Sequence, residues 1–168
     1  MISARLTRLI FVQLSLLAMM PAQAGDLRPI LIQQSSANEP AQFFARAARQ
    51  FSAGERDDAV FWFYVGQLRF RSLLAANPGL DPSGAPALFA SLMESVGRPI
   101  NEYAFGDIPE LQRSIYAALA WDAANPDPAL PAASHERIRA GLVGLRDQIG
   151  RDAASIRAQR QQNGLENR

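Results

Sequence analysis

The stretch 57-DDAVFWFYVGQLRFR-71 decides the fold, because its unbroken apolar run, Ala59 to Val65, admits four readings: membrane span, buried strand, binding surface or core helix. A span fails on length, since a bilayer needs roughly 20 apolar residues. A strand draws support from Val60, Phe61, Trp62, Phe63 and Tyr64, which suit a pleated surface, and from the polar–apolar alternation of Gln67 to Arg71. Two features favour a helix. Glu55, Asp57 and Asp58 stand where a helix start attracts negative charge. Beyond Gly66, the apolar residues Leu68, Phe70, Leu73 and Leu74 continue without a turn signal until 77-NPG-79. A continuous element of about twenty residues is a helix far more often than a strand. A helix apolar on every side is buried, so residues 55–76 are predicted to be the central core helix.

Working outward, 40-PAQFFARAARQFS-52 places Phe43, Ala47 and Phe51 at helical spacing with proline in the first turn, and Gly54 supplies the stop. The preceding 25-GDLRPILIQQSSANEP-40 reads as an irregular arm that tucks Ile30 to Ile32 onto the body. After a loop over 77–86, Ser83 is expected to cap a helix whose stripe is Leu88, Leu92 and Val96 and which 97-GRP-99 ends. Residues 100–107 then read as a polar–aromatic connection. Asp107 is an N-cap for a helix to Ala124 with Leu111, Ile115, Ala118 and Leu119 buried. The proline-rich 125-NPDPALP-131 is a stiff connector. Ser134 is expected to cap a last helix with the seam Ile138, Leu142, Leu145, Ile149, Ala153 and Ile156, fraying near Arg160. The fold class is all-α: a compact bundle of about five helices, in stacked hairpins around the aromatic-rich one.

The first residues set the compartment. Arg5 and Arg8, the apolar run Leu9 to Met20, and Ala22-Gln23-Ala24 follow the order of a secretory signal peptide cleaved near Ala24. The expected organisation is a leader over 1–24, one helical domain over 25–160 and a polar tail over 161–168, with no membrane span after cleavage. No cysteine occurs anywhere, so the core stands without disulfides, which fits a bacterial periplasm or secretion without disulfides. Loss of Arg5 and Arg8 takes the net charge from +1 to −1, and such a near-neutral exported chain is no nucleic-acid binder.

Complete catalytic sets are missing. Without cysteine there is no thiol nucleophile or thiolate metal site, no glycine-rich phosphate loop is present, and neither a metal nor a cofactor is expected. The single histidine, His135, sits beside a predicted helix cap with only Ser134 at hand, which is no base-orienting geometry. The densest polar segment is 97-GRPINEYAFGD-107, where Arg98, Asn101, Glu102 and Tyr103 are binding candidates. Glu102 and Asp107 form the carboxylate pair of an alternative, hydrolytic reading on envelope polymer or small glycosides. Arg69 and Arg71 complete the candidates. They point about 200° apart on a helix, so either the helix surfaces at its C-terminal end or one arginine is buried against Glu102 or Glu94. A third reading is an apolar-ligand carrier lined by Trp62, Tyr64 and Phe70.

The hairpin from Phe43 to Gly66 resembles a tetratricopeptide or Sel1-like repeat, with Ala59, Phe63 and Gly66 matching the small–aromatic–small spacing of the second helix and Phe43 and Ala47 near first-helix positions. FWFYVGQLRFR, PALFASL and VGRPINEYAFGD also resemble small uncharacterised exported bacterial proteins. The first resemblance implies a helical protein-binding module. The leading expectation is accordingly a non-catalytic exported protein that binds another protein, as an immunity or inhibitor protein does.

Overall fold

The computed structural model describes residues 28–168, with side-chain surroundings from Glu39 onward; the leader and its cleavage site lie outside the described residues. Seven α-helices follow in order: α1 Arg28–Ser52, α2 Arg56–Ala76, α3 Ala85–Leu92, α4 Arg98–Ala104, α5 Ile108–Ala124, α6 Ala132–Arg151 and α7 Ala153–Gln162. A π-helical turn, Met93–Gly97, joins α3 to α4 without a break, and only Asp152 separates α6 from α7. The described residues therefore make five helical runs, with no strand among them. No described helix is long and apolar enough to cross a membrane.

The stretch that raised the question is α2, and it is the core. Ala59, Val60, Phe63, Tyr64, Val65, Leu68 and Phe70 are buried on it, facing α1, α4, α5 and α6. Against α1 the contact is close because Gly66 lacks a side chain: a Cβ there would lie 2.9 Å from Phe44 Cδ2 and 3.1 Å from Phe43 Cβ. Phe44 then meets Phe63, Phe70 and Phe89 edge-on at centroid distances of 5.6, 6.3 and 6.2 Å. Each such aromatic pair adds roughly 0.5–1.5 kcal/mol beyond area burial. Phe43 stacks on Trp62 at 5.6 Å and 7°, and the Arg46 guanidinium lies 3.8 Å from the Trp62 ring centroid. The rings of the carrier reading, Trp62, Tyr64 and Phe70, are thus packed against protein.

Several expectations change. The irregular arm over 25–40 is helical from Arg28, and Pro40 sits inside α1. Gly97-Arg98-Pro99 does not end a helix. Pro99 has no N–H for the Ser95 carbonyl, and the wider π turn, in which the Arg98 N–H reaches back to the Met93 carbonyl, carries the rod past it. Gly97 serves packing there, since a Cβ would lie 2.9 Å from the Phe63 ring. Residues 98–104, read as part of a connection, are α4. Ser83 bonds Asp81 instead of capping α3, and Ser134 lies inside α6, where its hydroxyl donates to the Pro131 carbonyl at 3.0 Å. Asp107 does cap α5, accepting the Glu110 N–H at 3.0 Å. In the last seam Leu142 and Ile149 are buried but Leu145 is 40% exposed, because a three-residue step swings it about 60° off Leu142.

The polar tail also docks. Gly164 adopts φ +71°, a left-handed conformation that favours glycine, and turns the chain back toward α4. The Arg168 N–H then donates to the Gly106 carbonyl at 2.7 Å, and its guanidinium lies 3.6 Å from the Tyr103 ring centroid.

Candidate functional site

The π turn and α4 form one wall of an open groove of about 1050 Å³; α7 and the returning tail form the other. Met93, Phe105, Ile156 and Leu165 give it apolar surface, while Glu94, Arg98, Asn101, Glu102, Asp152 and Arg160 supply charge and hydrogen-bonding groups. π turns recur at functional sites because the extra residue re-aims the side chains around it. Here it lets Met93 and Arg98 both line the groove while Gly97 faces Phe63 in the core.

Three sequence candidates therefore meet in this groove. Arg98 pairs with Glu94 at 2.8 Å, an exposed pair that holds little energy. Asn101 accepts a hydrogen bond from the Tyr64 hydroxyl at 3.2 Å, which anchors it to the core helix. Burial pushes that tyrosine well above its ordinary value, so it remains a neutral donor. Glu102 lines both this groove and a smaller adjoining cleft of about 310 Å³, where Tyr103 lies. Tyr103 donates to Asp57 at 2.9 Å; desolvation first, and then that bond, raise its pKa against the opposing Arg168 charge. Asp107 is not brought to the groove. It caps α5, so the predicted carboxylate pair does not line one opening.

Arg69 and Arg71 separate as the helix geometry requires: the C-terminal part of α2 exposes Arg71 and Ala75 on one side and buries Arg69 on the other. Arg69 is only 4% exposed, and its carboxylate is Asp122, neither Glu102 nor Glu94. Asp122 on α5 is fully buried. Arg69 Nε stands 2.8 Å from its Oδ1, off the hydrogen-bond axis, so this contact is chiefly Coulombic. His135 Nε2 lies 2.9 Å from Oδ2, and Arg139 donates to the same oxygen. His135 Nδ1 meets the Ser72 hydroxyl at 2.8 Å. Arg69 also donates to the Asn125 carbonyl and faces Asp127 at 3.6 Å, tying the proline-rich connector to the core. Arg71 is exposed, with its guanidinium 5.5 Å from Phe89.

Ser72, His135 and Asp122 are the residue types of a hydrolytic triad, yet their arrangement opposes that chemistry. Ser72 is 0% exposed, and its hydroxyl is 2.9 Å from the Leu68 carbonyl. The imidazole is reversed, with Nδ1 on serine and Nε2 on aspartate. Two arginines compete for Asp122, weakening its hold on the ring. The cluster is a clamp among α2, α5 and α6. Its sequence signal was periodicity: Asp122 continues the buried stripe Ile115, Ala118, Leu119, and His135 and Arg139 stand four apart on the face shared with Leu142.

The fold and groove define a class: an all-α bundle with an open, mixed-polarity groove. In sequence the chain is similar to an uncharacterised protein of Haemophilus influenzae, 36% identical over 107 residues. The match covers 60% of this chain but 41% of that relative, so the chain spans about two fifths of its length. No family model and no solved structure matches the chain.

Proposed function

We propose that the chain is exported, loses residues 1–24 in the periplasm and works without catalysis by holding a segment of another protein in the groove beside the π turn. The carrying observation is the groove itself. Its walls come from Met93 to Phe105 and from Asp152 to Leu165, distant in sequence, and both present apolar side chains beside charged ones. Protein-binding surfaces likewise combine apolar with charged and hydrogen-bonding groups. Export is supported by the order of Arg5 and Arg8, the apolar run and Ala22-Gln23-Ala24.

A photo-cross-linking residue placed in cells at Glu94 or Ser155, which line the groove, tests the proposal against one at Tyr116, which is 64% exposed on α5. The expected result is one discrete protein adduct from both groove positions, recovered from the periplasmic fraction, and none from Tyr116. No adduct from either groove position, or the same adduct from all three, would overturn it.

A further inference from the structure

Both walls of the long groove are helical, and that restricts what can lie in it. On α7 the lining residues are Asp152, Ser155, Ile156, Gln159, Arg160 and Asn163, spaced three and four apart along one face. The opposite wall presents Met93 and Glu94 from the π turn and Asn101, Glu102 and Phe105 from α4 and its end. Helices bond their backbone groups internally, so neither wall offers the open edge to which an extended peptide adds as a strand. An occupant that is itself a helix needs no such edge, because its own backbone is already satisfied. From Asp152 to Asn163 the α7 wall rises about 16 Å, the length of about three helical turns.

The groove's cations are engaged and two of its anions are not. Arg98 is matched by Glu94 at 2.8 Å, and Arg160 has Nη1 and Nη2 committed to the carbonyls of Glu102 and Glu166 at 2.8 and 2.7 Å. Glu102 and Asp152 remain, one on each wall. Among the described residues neither carboxylate has an arginine or histidine within 4.0 Å. Asp152 stands at the N-cap of α7, where a carboxylate commonly accepts a backbone N–H, yet its side chain makes no capping bond. Over the described lining, Glu94, Glu102 and Asp152 stand against Arg98 and Arg160, an excess of one negative charge. An acidic occupant would find both cations already taken, whereas a basic one finds a carboxylate on each wall. The same lining supplies Met93, Phe105 and Ile156 as apolar surface, and the methionine can adapt its shape to a partner.

We propose that the occupant of the groove is a basic amphipathic helix of the partner protein, an inference that rests on the reading that the groove holds a protein segment. Its apolar stripe lies on Met93, Phe105 and Ile156, and its arginine or lysine side chains pair with Glu102 and Asp152.

A photo-cross-linking residue at Ser155 tests this in cells, with the adduct digested and the joined partner segment sequenced by mass spectrometry. The segment is expected to carry a net positive charge, with apolar residues three and four apart. Glu102→Gln combined with Asp152→Asn, both at exposed positions, should lower the adduct yield about threefold or more, the effect of losing two exposed ion pairs. Arg98→Gln, which releases Glu94 from its pair, should raise the yield. Circular dichroism melts check that the variants stay folded. An adduct whose joined segment is acidic or lacks helical spacing would overturn the basic helix while leaving the groove's occupation by a protein segment intact. So would a yield unmoved by the two carboxylate substitutions, or one that Arg98→Gln lowers. No adduct from Ser155 or from Glu94 would overturn both.

Discussion

Gly66 shows how one missing side chain sets the spacing of two helices. The Phe44 ring fills the space a Cβ would take, and Phe44 is 0% exposed. Gly66→Ala would improve intrinsic helix propensity by about 1 kcal/mol. The clash at 2.9 Å involves a ring locked by three other rings, and overpacking of that kind costs about 1–3 kcal/mol. The expected net result is destabilisation of about 1–2 kcal/mol, read from the urea midpoint at unchanged slope. A variant as stable as the parent would mean that α1 slides freely on α2. Sequence revealed the glycine as part of a small–aromatic–small spacing, but not its neighbour. Which ring occupies the notch is a tertiary fact.

At the scale of elements, the buried clamp decides how α6 and the connector sit on the core. Asp122→Asn removes the carboxylate charge that faces Arg69, His135 and Arg139 together. Removing one partner of a buried ion pair costs about 3–5 kcal/mol, because the other charge is left uncompensated. The double variant Arg69→Met, Asp122→Leu should recover at least half of that loss, since Arg139 and His135, at 22% and 17% side-chain exposure, can turn toward water. Urea unfolding of both variants measures this; a loss under about 1 kcal/mol for Asp122→Asn would show that the pair contributes no net interaction. The helices themselves were legible where the signal was long or periodic: α2 follows from its length without a turn signal, α5 from its stripe, and Asp107 caps as read. The rod from Ala85 to Ala104 was not, because Gly97 and Pro99 are ordinary stop signals and here a π turn carries the helix past them. The same misreading made α4 a loop, although Arg98, Asn101 and Glu102 were still chosen as site residues. Their partners on α7 were illegible, since nothing local says that Asp152 to Leu165 folds back across them.

For the molecule as a whole, burial is unevenly shared, and that bears on the groove. α2 buries residues along its length, whereas α6 buries only Leu142 and Ile149, and α7 only Arg160. Few buried apolar contacts mark the segments that open before global unfolding. α6 and α7 are held instead by polar anchors: the Asp122 clamp at one end, the Gln112 bond to the Arg146 carbonyl at 3.2 Å, and Arg160 and Arg168 on α4 at the other. Since α7 is one wall of the groove, its opening competes with anything the groove binds. Native-state hydrogen exchange should therefore show the amides of 132–162 exchanging through an opening of lower free energy than those of α2 and α5. Asp122→Asn should lower that opening energy further. Truncation after Gln162, which removes the tail but leaves the clamp, should loosen α7 more than α6. Exchange of all helices at one common free energy would mean that the bundle unfolds as a unit and that the groove walls are no more mobile than the core.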